Sequence, residues 1–284
     1  VNPITLGRAD RWADLRLPGL DLPWSALTNA ERVVLLHIVL LPLWWIAGLY
    51  RYLPLFTLLG TLAWQYNREG RLHLGRPNWW VMGPLLGFVI WQFVPPLLAG
   101  VLSRRDVLAS VLFWVSPALL LWFVQGNRVR VRVPVVIWAF AVAAAQVIGV
   151  WLVFHFVFGE TAYNAPRTLL ATLTGKPTEF NFHDYGEDNG KANYLVLFVP
   201  SDSGFFGLTR YIFWFLTPEI LGLVGGVIGL IALDTEKRPL RVGMLCASAF
   251  IIVLSGSRSV LLTFPVVVAL RYIFTLGRAQ GPAI

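Results

Sequence analysis

The chain has 284 residues, 57% of them hydrophobic and only 13% charged, with 13 tryptophans and a formal net charge of +8. Its apolar residues come in long runs rather than in a 3.6-residue stripe, which excludes a water-soluble domain with alternating faces and points to an all-α, polytopic transmembrane helical bundle. The basic residues fall in short loops between the runs, where the positive-inside rule puts them, so no nucleic acid is expected as a partner.

Residues 1–32 read as a cytoplasmic lead-in. Arg8, Arg11 and Arg16 are balanced there by Asp10, Asp14, Asp21 and Glu31, while Pro18 and Pro23 interrupt any helix. No cleavable signal is recognisable, because the first apolar run comes late and lacks a small-residue cleavage site. From residue 33 to 284 the chain reads as a transmembrane domain. A hydrocarbon core of roughly 30 Å takes about 20 apolar residues to cross, and eight spans are expected: 33–50, 52–66, 79–101, 107–124, 135–158, 211–233, 242–256 and 260–276. The first two are short, and around Pro42 and Pro54 they read equally as one bent or re-entrant unit. Pro95 and Pro96 must kink or break the third. The Ala-rich middle of the fifth (Ala141, Ala143, Ala144, Ala145) lets another helix approach closely.

The arginine-bearing loops 67–78 and 125–134 are expected inside and the one long polar insertion, 159–204, outside. Most of the 23 basic residues then lie on the cytoplasmic side, with both termini. Arg51, Arg104, Arg105, Arg210 and Arg258 remain near the outer face. Cations there run against the positive-inside tendency and ask for an anionic partner. The stretch 193–200 is too short to cross and reads as a re-entrant piece or the outer end of the next helix.

Within the sixth span, Glu219 is the acid placed at membrane depth, either paired with a base such as Arg210 or held protonated by burial. Gly222, Gly225, Gly226 and Gly229 in the same span read as close helix packing. Ser255-Gly256-Ser257-Arg258-Ser259 sets one arginine among small hydroxyl residues between two apolar runs. Its planar fork of donors suits phosphate oxygens, and the bland alternative is an arginine snorkelling at a helix end.

Other chemistry is weakly signalled. His37, His73, His155 and His183 are dispersed, so no zinc site with His at i and i+4 is expected. His183 with Asp184 and Asp188 misses the EF-hand spacing, and nothing orders Ser257, His155 and a loop aspartate as a triad. Cys246 is the only cysteine, so no intrachain disulfide forms.

The sequence Leu254-Ser-Gly-Ser-Arg258-Ser-Val-Leu-Leu resembles the Ser-Arg signature of the bacterial O-antigen ligase and O-antigen polymerase superfamily. Asp188-Asn-Gly-Lys-Ala-Asn193-Tyr194 is similar to the Asn-rich stretch those proteins carry in a comparable place. The resemblance, spread loosely over residues 30–280, implies a GT-C-like glycosyltransferase of the inner membrane. Such an enzyme moves a glycan from an undecaprenyl-diphosphate carrier to lipid A core or to a growing polysaccharide at the outer face. It implies no metal or other cofactor, and membrane lipids, the lipid-linked glycan and an acceptor glycan or glycolipid as partners. Arg258 would bind the diphosphate and stabilise the leaving group, with Ser257 and Ser259 as hydroxyl donors and Arg210 as a second cation. The family has more spans and a larger outer loop, which supplies a second arginine and a histidine base that no residue here matches. The catalytic base is therefore unassigned, and the chain is either the N-terminal part of a longer protein or a divergent relative. Two further readings stay open: a secondary transporter of an anion or polysaccharide precursor, using the helices broken at Pro95-Pro96 and Pro218, and a non-catalytic membrane subunit.

Overall fold

The computed structural model describes residues 22–100, 103–158, 165–175, 193–199, 209–215 and 217–276; side chains of 104–106 and 274–276 lie outside that description. The protein is mostly helical, at 76%. In chain order the elements are α1 (Asn29–Val39), α2 (Leu41–Ala47), α3 (Leu53–Glu69), α4 (Trp79–Trp91), α5 (Val94–Leu98), α6 (Arg104–Ser110), α7 (Ser116–Gly126), α8 (Val133–Val153), α9 (Leu169–Leu173), β1 (Phe198–Val199), β2 (Arg210–Tyr211), α10 (Pro218–Leu233), α11 (Arg238–Ser255) and α12 (Arg258–Leu276). They divide into two compact units, one of residues 49–131 and one combining the segments before and after it.

Eight spans were expected, and the structure corrects the number. Four described helical stretches are long and apolar enough to cross a membrane: Trp79–Leu98, Val107–Gly126, Val133–Phe158 and Arg238–Ser255. A fifth exists if α1 and α2, bent by 62° at Leu40, count as one broken span. The bend falls just before Pro42, where a residue without an N–H interrupts the ladder. α3 replaces the span expected at 52–66 but ends in Asn67, Arg68 and Glu69. The expected span 211–233 is not one helix: its first residues form β2 and a tight loop, and α10 begins only at Pro218 with Thr217 accepting from Ile220 N. Proline with fixed φ at the first turn after a threonine cap is a helix start rather than an interior. At 16 residues α10 is shorter than a span. The stretch 193–200, expected to be re-entrant or helical, is extended instead, with β1 pairing antiparallel to β2 and Tyr194 bridging Arg167.

In the 49–131 unit, the break between α4 and α5 falls just before Pro95 and Pro96, as expected of residues that cannot donate to the preceding turn. Between α6 and α7 lies a π-helical turn, 111–115, into which Ser116 Oγ donates to Val111 O at 2.8 Å. Pro117 follows directly, and its missing N–H accounts for the widened turn.

In the larger unit, α8, α10 and α11 enclose an apolar core that includes Ile137, Val147, Trp214, Leu221, Ile228 and Ile251. The glycines of α10 set its packing distance. A Cβ on Gly222 would meet Ser255 Oγ at 2.9 Å, on Gly225 Ile252 Cγ1 at 3.0 Å, and on Gly229 both Phe264 Cζ and Ser248 Oγ at 2.5 Å. Ser248 Oγ, fully buried, donates to Gly225 O at 2.7 Å. Close helix packing is therefore what these glycines provide. Gln146 on α8 donates to Val39 O at 2.9 Å, satisfying a carbonyl that the α1–α2 bend releases.

Candidate functional site

The contacts of the larger unit fix how its helices run. Glu31 meets Arg132 and Val39 meets Gln146, so α1 and α8 are parallel. Trp151 lies edge-on to Phe250, which sets α8 parallel to α11. α10 is antiparallel to α11, and α12 runs beside α10 from Val260 near Gly222 to Arg271 on Asp234. One end of this unit thus gathers Glu31, Arg132, Asp234, Arg238 and Arg271. The other gathers Arg210, Glu219 and the turn Ser255–Arg258.

At that second end the chain makes a tight reversal. α11 closes on Gly256 in the left-handed region (φ +58°), and α12 opens two residues later at Arg258. A left-handed residue after the last turn is the usual glycine stop. Ser255 is fully buried; its Oγ donates to Ile252 O at 2.7 Å and accepts from Ser257 N at 3.2 Å. Ser257 is buried as well, its Oγ 3.1 Å from Ser259 Oγ. Its carbonyl accepts from Leu261 N at 3.0 Å, which starts α12. Arg258 and Ser259 are exposed.

Arg210 packs on this turn from β2. Its Nε donates to Ser255 O at 3.4 Å, and its Cγ lies 3.0 Å from where a Cβ on Gly256 would stand. Its Nη2 donates to Glu219 Oε1 at 2.6 Å, with the Glu219 side chain 52% exposed. Of the two fates open to Glu219, pairing with Arg210 is the one found. Glu219 sits in the first turn of α10, where a carboxylate is also favoured by the helix dipole, and not in a helix interior as the sixth span implied. The structure thus brings Arg210, Glu219, Ser257, Arg258 and Ser259 to one end of one unit.

No protein family, curated protein or solved structure matches this chain. A turn with buried Ser255 and Ser257, a helix N-terminus and the Arg210 guanidinium, itself paired with a carboxylate, meet here, and Arg258 stands exposed as the first residue of α12. That is an arrangement able to take an anion with several oxygens.

Several sequence-stretch expectations fall outside the described residues, among them His183, Asp184, Glu187, Asp188, Asn189, Lys191 and Asp202 of the long insertion and the side chains of Arg104 and Arg105. His155 is exposed and stacks on Trp151 at 4.9 Å, within a second π-helical turn that ends α8; the Ser257 hydroxyl has Ser259 as its partner.

Sequence reasoning missed the pair at the opposite end. Glu31 is only 1% exposed and is held by Arg132 through Nε at 2.6 Å, Nη2 at 2.7 Å and backbone N at 3.0 Å. Thr28 completes a capping box with the same carboxylate. The Glu31 carboxylate holds the Arg132 guanidinium protonated above its ordinary range. The Thr28-x-x-Glu31 capping pattern was legible; its arginine partner 101 residues away was not.

Proposed function

We propose that this chain is a multi-pass protein of a bacterial inner membrane that binds an undecaprenyl-diphosphate-linked glycan at the Ser257-Arg258-Ser259 end, in the manner of the O-antigen ligases and polymerases it resembles. In this reading both termini are cytoplasmic, the site faces the outer side, and α3, α10 and α12 lie in the bilayer beside the four to five helices long enough to cross it. The product is a glycan moved to lipid A core or to a growing polysaccharide, through a GT-C-like bundle. The acceptor hydroxyl oxygen bonds to the anomeric carbon as the bond to the diphosphate breaks, the hydroxyl proton passes to the departing diphosphate or to water, and the charge that develops on the diphosphate is met by guanidinium donors.

One observation carries the reading. Arg258 opens α12 with its side chain exposed, two residues after the turn against which a second arginine is packed. Among the described residues the opposite end of this unit carries Arg132, Lys237, Arg238, Arg241 and Arg271, which favours that end as cytoplasmic and this one as outer. Replacing Arg258 by Ala tests the assignment: surface polysaccharide is lost while the protein remains inserted at normal level. Unchanged polysaccharide at normal expression rejects it.

A further inference from the structure

In the 49–131 unit, the loop between α3 and α4 is strapped to the end of α7. Gln65, buried on α3, donates from Nε2 to His73 O at 3.2 Å and accepts from His73 N at 3.2 Å. Asn127 donates to the same His73 carbonyl at 3.1 Å, Trp122 Nε1 to Gly75 O at 3.3 Å, and Asn78 N donates to Gln125 Oε1 at 3.2 Å. The two backbones touch at glycines: a Cβ on Gly126 would stand 1.7 Å from Leu74 O, and one on Gly75 (φ +67°) 2.2 Å from Gly126 O.

This fixed frame carries five arginines against one acid. Arg68 lies over Trp64 at 5.4 Å, Arg71 precedes the strap, Arg76 follows Gly75, and Arg128 and Arg130 follow Asn127, with Glu69 the opposing charge. All five are exposed, and among the described residues no hydrogen bond or ion pair engages the guanidinium groups of Arg71, Arg76, Arg128 or Arg130. Arg71, Arg76 and Arg128 each stand within two residues of a strapped position and Arg130 within three, so chain reach, at about 3.5 Å per residue, keeps these four in one patch. Cations that close repel unless screened, and a mobile loop would let them spread. Here the backbone holds them together.

The surroundings name the partner. Trp79 and Trp80 stand at the first turn of α4, the mouth of a 20-residue apolar stretch, with Trp80 91% exposed; Trp64 and Tyr66, toward the end of α3, are exposed as well. Amphipathic rings at the end of a membrane-crossing helix seat at headgroup depth, which puts the arginines level with lipid phosphates. We infer that the strapped loop 73–78 and the α7 end form a preorganised site for the headgroups of anionic phospholipids, holding monoanionic phosphodiesters by charge-assisted bonds from Arg71, Arg76, Arg128 and Arg130. The site is made of residues other than those of the Ser257–Ser259 turn and does not depend on the function proposed for it.

The test uses the full chain purified and delipidated in neutral detergent. It is titrated with dioctanoyl phosphatidylglycerol and with dioctanoyl phosphatidylcholine, and bound lipid is read by native mass spectrometry. The wild type should prefer phosphatidylglycerol by about tenfold or more, given roughly 1 kcal/mol per basic residue at an anionic surface. R71Q/R76Q/R128Q/R130Q should lose that preference, and the paired variants R71Q/R76Q and R128Q/R130Q should each lose part of it, circular dichroism reporting that they stay folded. K237Q/R238Q, at basic positions elsewhere, should keep it. Preference retained in the quadruple and both paired variants overturns the site. Displacement of the lipid by an equal concentration of inorganic phosphate would make it a soluble-anion site, and tighter binding of a single-stranded oligonucleotide would make it a nucleic-acid site; either result overturns the lipid assignment.

Discussion

Glu31 and Arg132, 101 residues apart, close the basic end of the larger unit with a fork of two side-chain bonds and a third from the Arg132 backbone. The carboxylate is buried and the guanidinium is partly in water, so the pair works by satisfying a charge that has already been taken out of solvent. Arg132 also donates to Ala26 O at 2.6 Å, tying down the segment that precedes α1.

Removing the arginine leaves that buried carboxylate alone. Arg132→Ala should lower the apparent melting temperature in detergent by on the order of 10 °C. Arg132→Lys should recover only part of the loss, because an ammonium cannot supply the fork. A shift within 2 °C or so for Arg132→Ala, read by a fluorescence melt, would show that Glu31 finds another partner.

The glycines of α10 and α11 should behave oppositely. Gly229→Ala drives a methyl group to 2.5 Å from both Phe264 and the fully buried Ser248, and overpacking of this kind costs about 1–3 kcal/mol. Gly243 has open space where its Cβ would stand, so Gly243→Ala should be neutral or gain up to about 1 kcal/mol from helix propensity. Equal effects in a denaturation series would contradict the packing described for α10.

Glu219 is half exposed, so its pair with Arg210 contributes little to stability, about 1 kcal/mol at most. Glu219→Gln should therefore hardly move the melting curve while releasing Arg210 from the carboxylate. If the site takes a diphosphate, Glu219→Gln leaves binding intact or tightens it, whereas Arg210→Gln weakens it. Isothermal titration with a soluble farnesyl diphosphate separates these outcomes, and equal loss in both variants would assign the pair a purely structural part.

Much of the helical architecture was legible in local pattern. The apolar run 135–158 appears as Val133–Phe158, Pro95-Pro96 marks a break, and the glycines of α10 pack as their spacing suggested. The sixth span was misread although the signal was present: Thr217-Pro218-Glu219 is a cap, a first-turn proline and a first-turn acid. The apolar residues 211–215 before it looked like continuous helix because hydropathy cannot distinguish a buried loop from a span. At the site, the Ser-Gly-Ser turn could be read from glycine and serine chemistry. Span counting put Arg210 at the same face, but its packing on Ser255 and Gly256 could not be read, since pairings across 45 residues leave no local pattern. The strap from Gln65 and Asn127 to His73 was hidden for the same reason.

Orientation is open to chemical labelling in cells carrying Cys246→Ser. A cysteine replacing Asn189 in the long insertion should react with an impermeant maleimide from outside, and one replacing exposed Glu69 should react only after permeabilisation. The reverse pattern would place the Arg258 end inside, where no lipid-linked glycan awaits transfer in the proposed reaction.

The most direct measurement is capture of a photoactivatable undecaprenyl-diphosphate glycan by the intact protein in membranes, compared between wild type and Arg258→Ala. Wild type should crosslink, with the adduct mapping to the N-terminal turn of α12, and the variant should lose most of that signal at equal protein level. Equal crosslinking in the two, or an adduct confined to the Glu31–Arg132 end, would contradict the account.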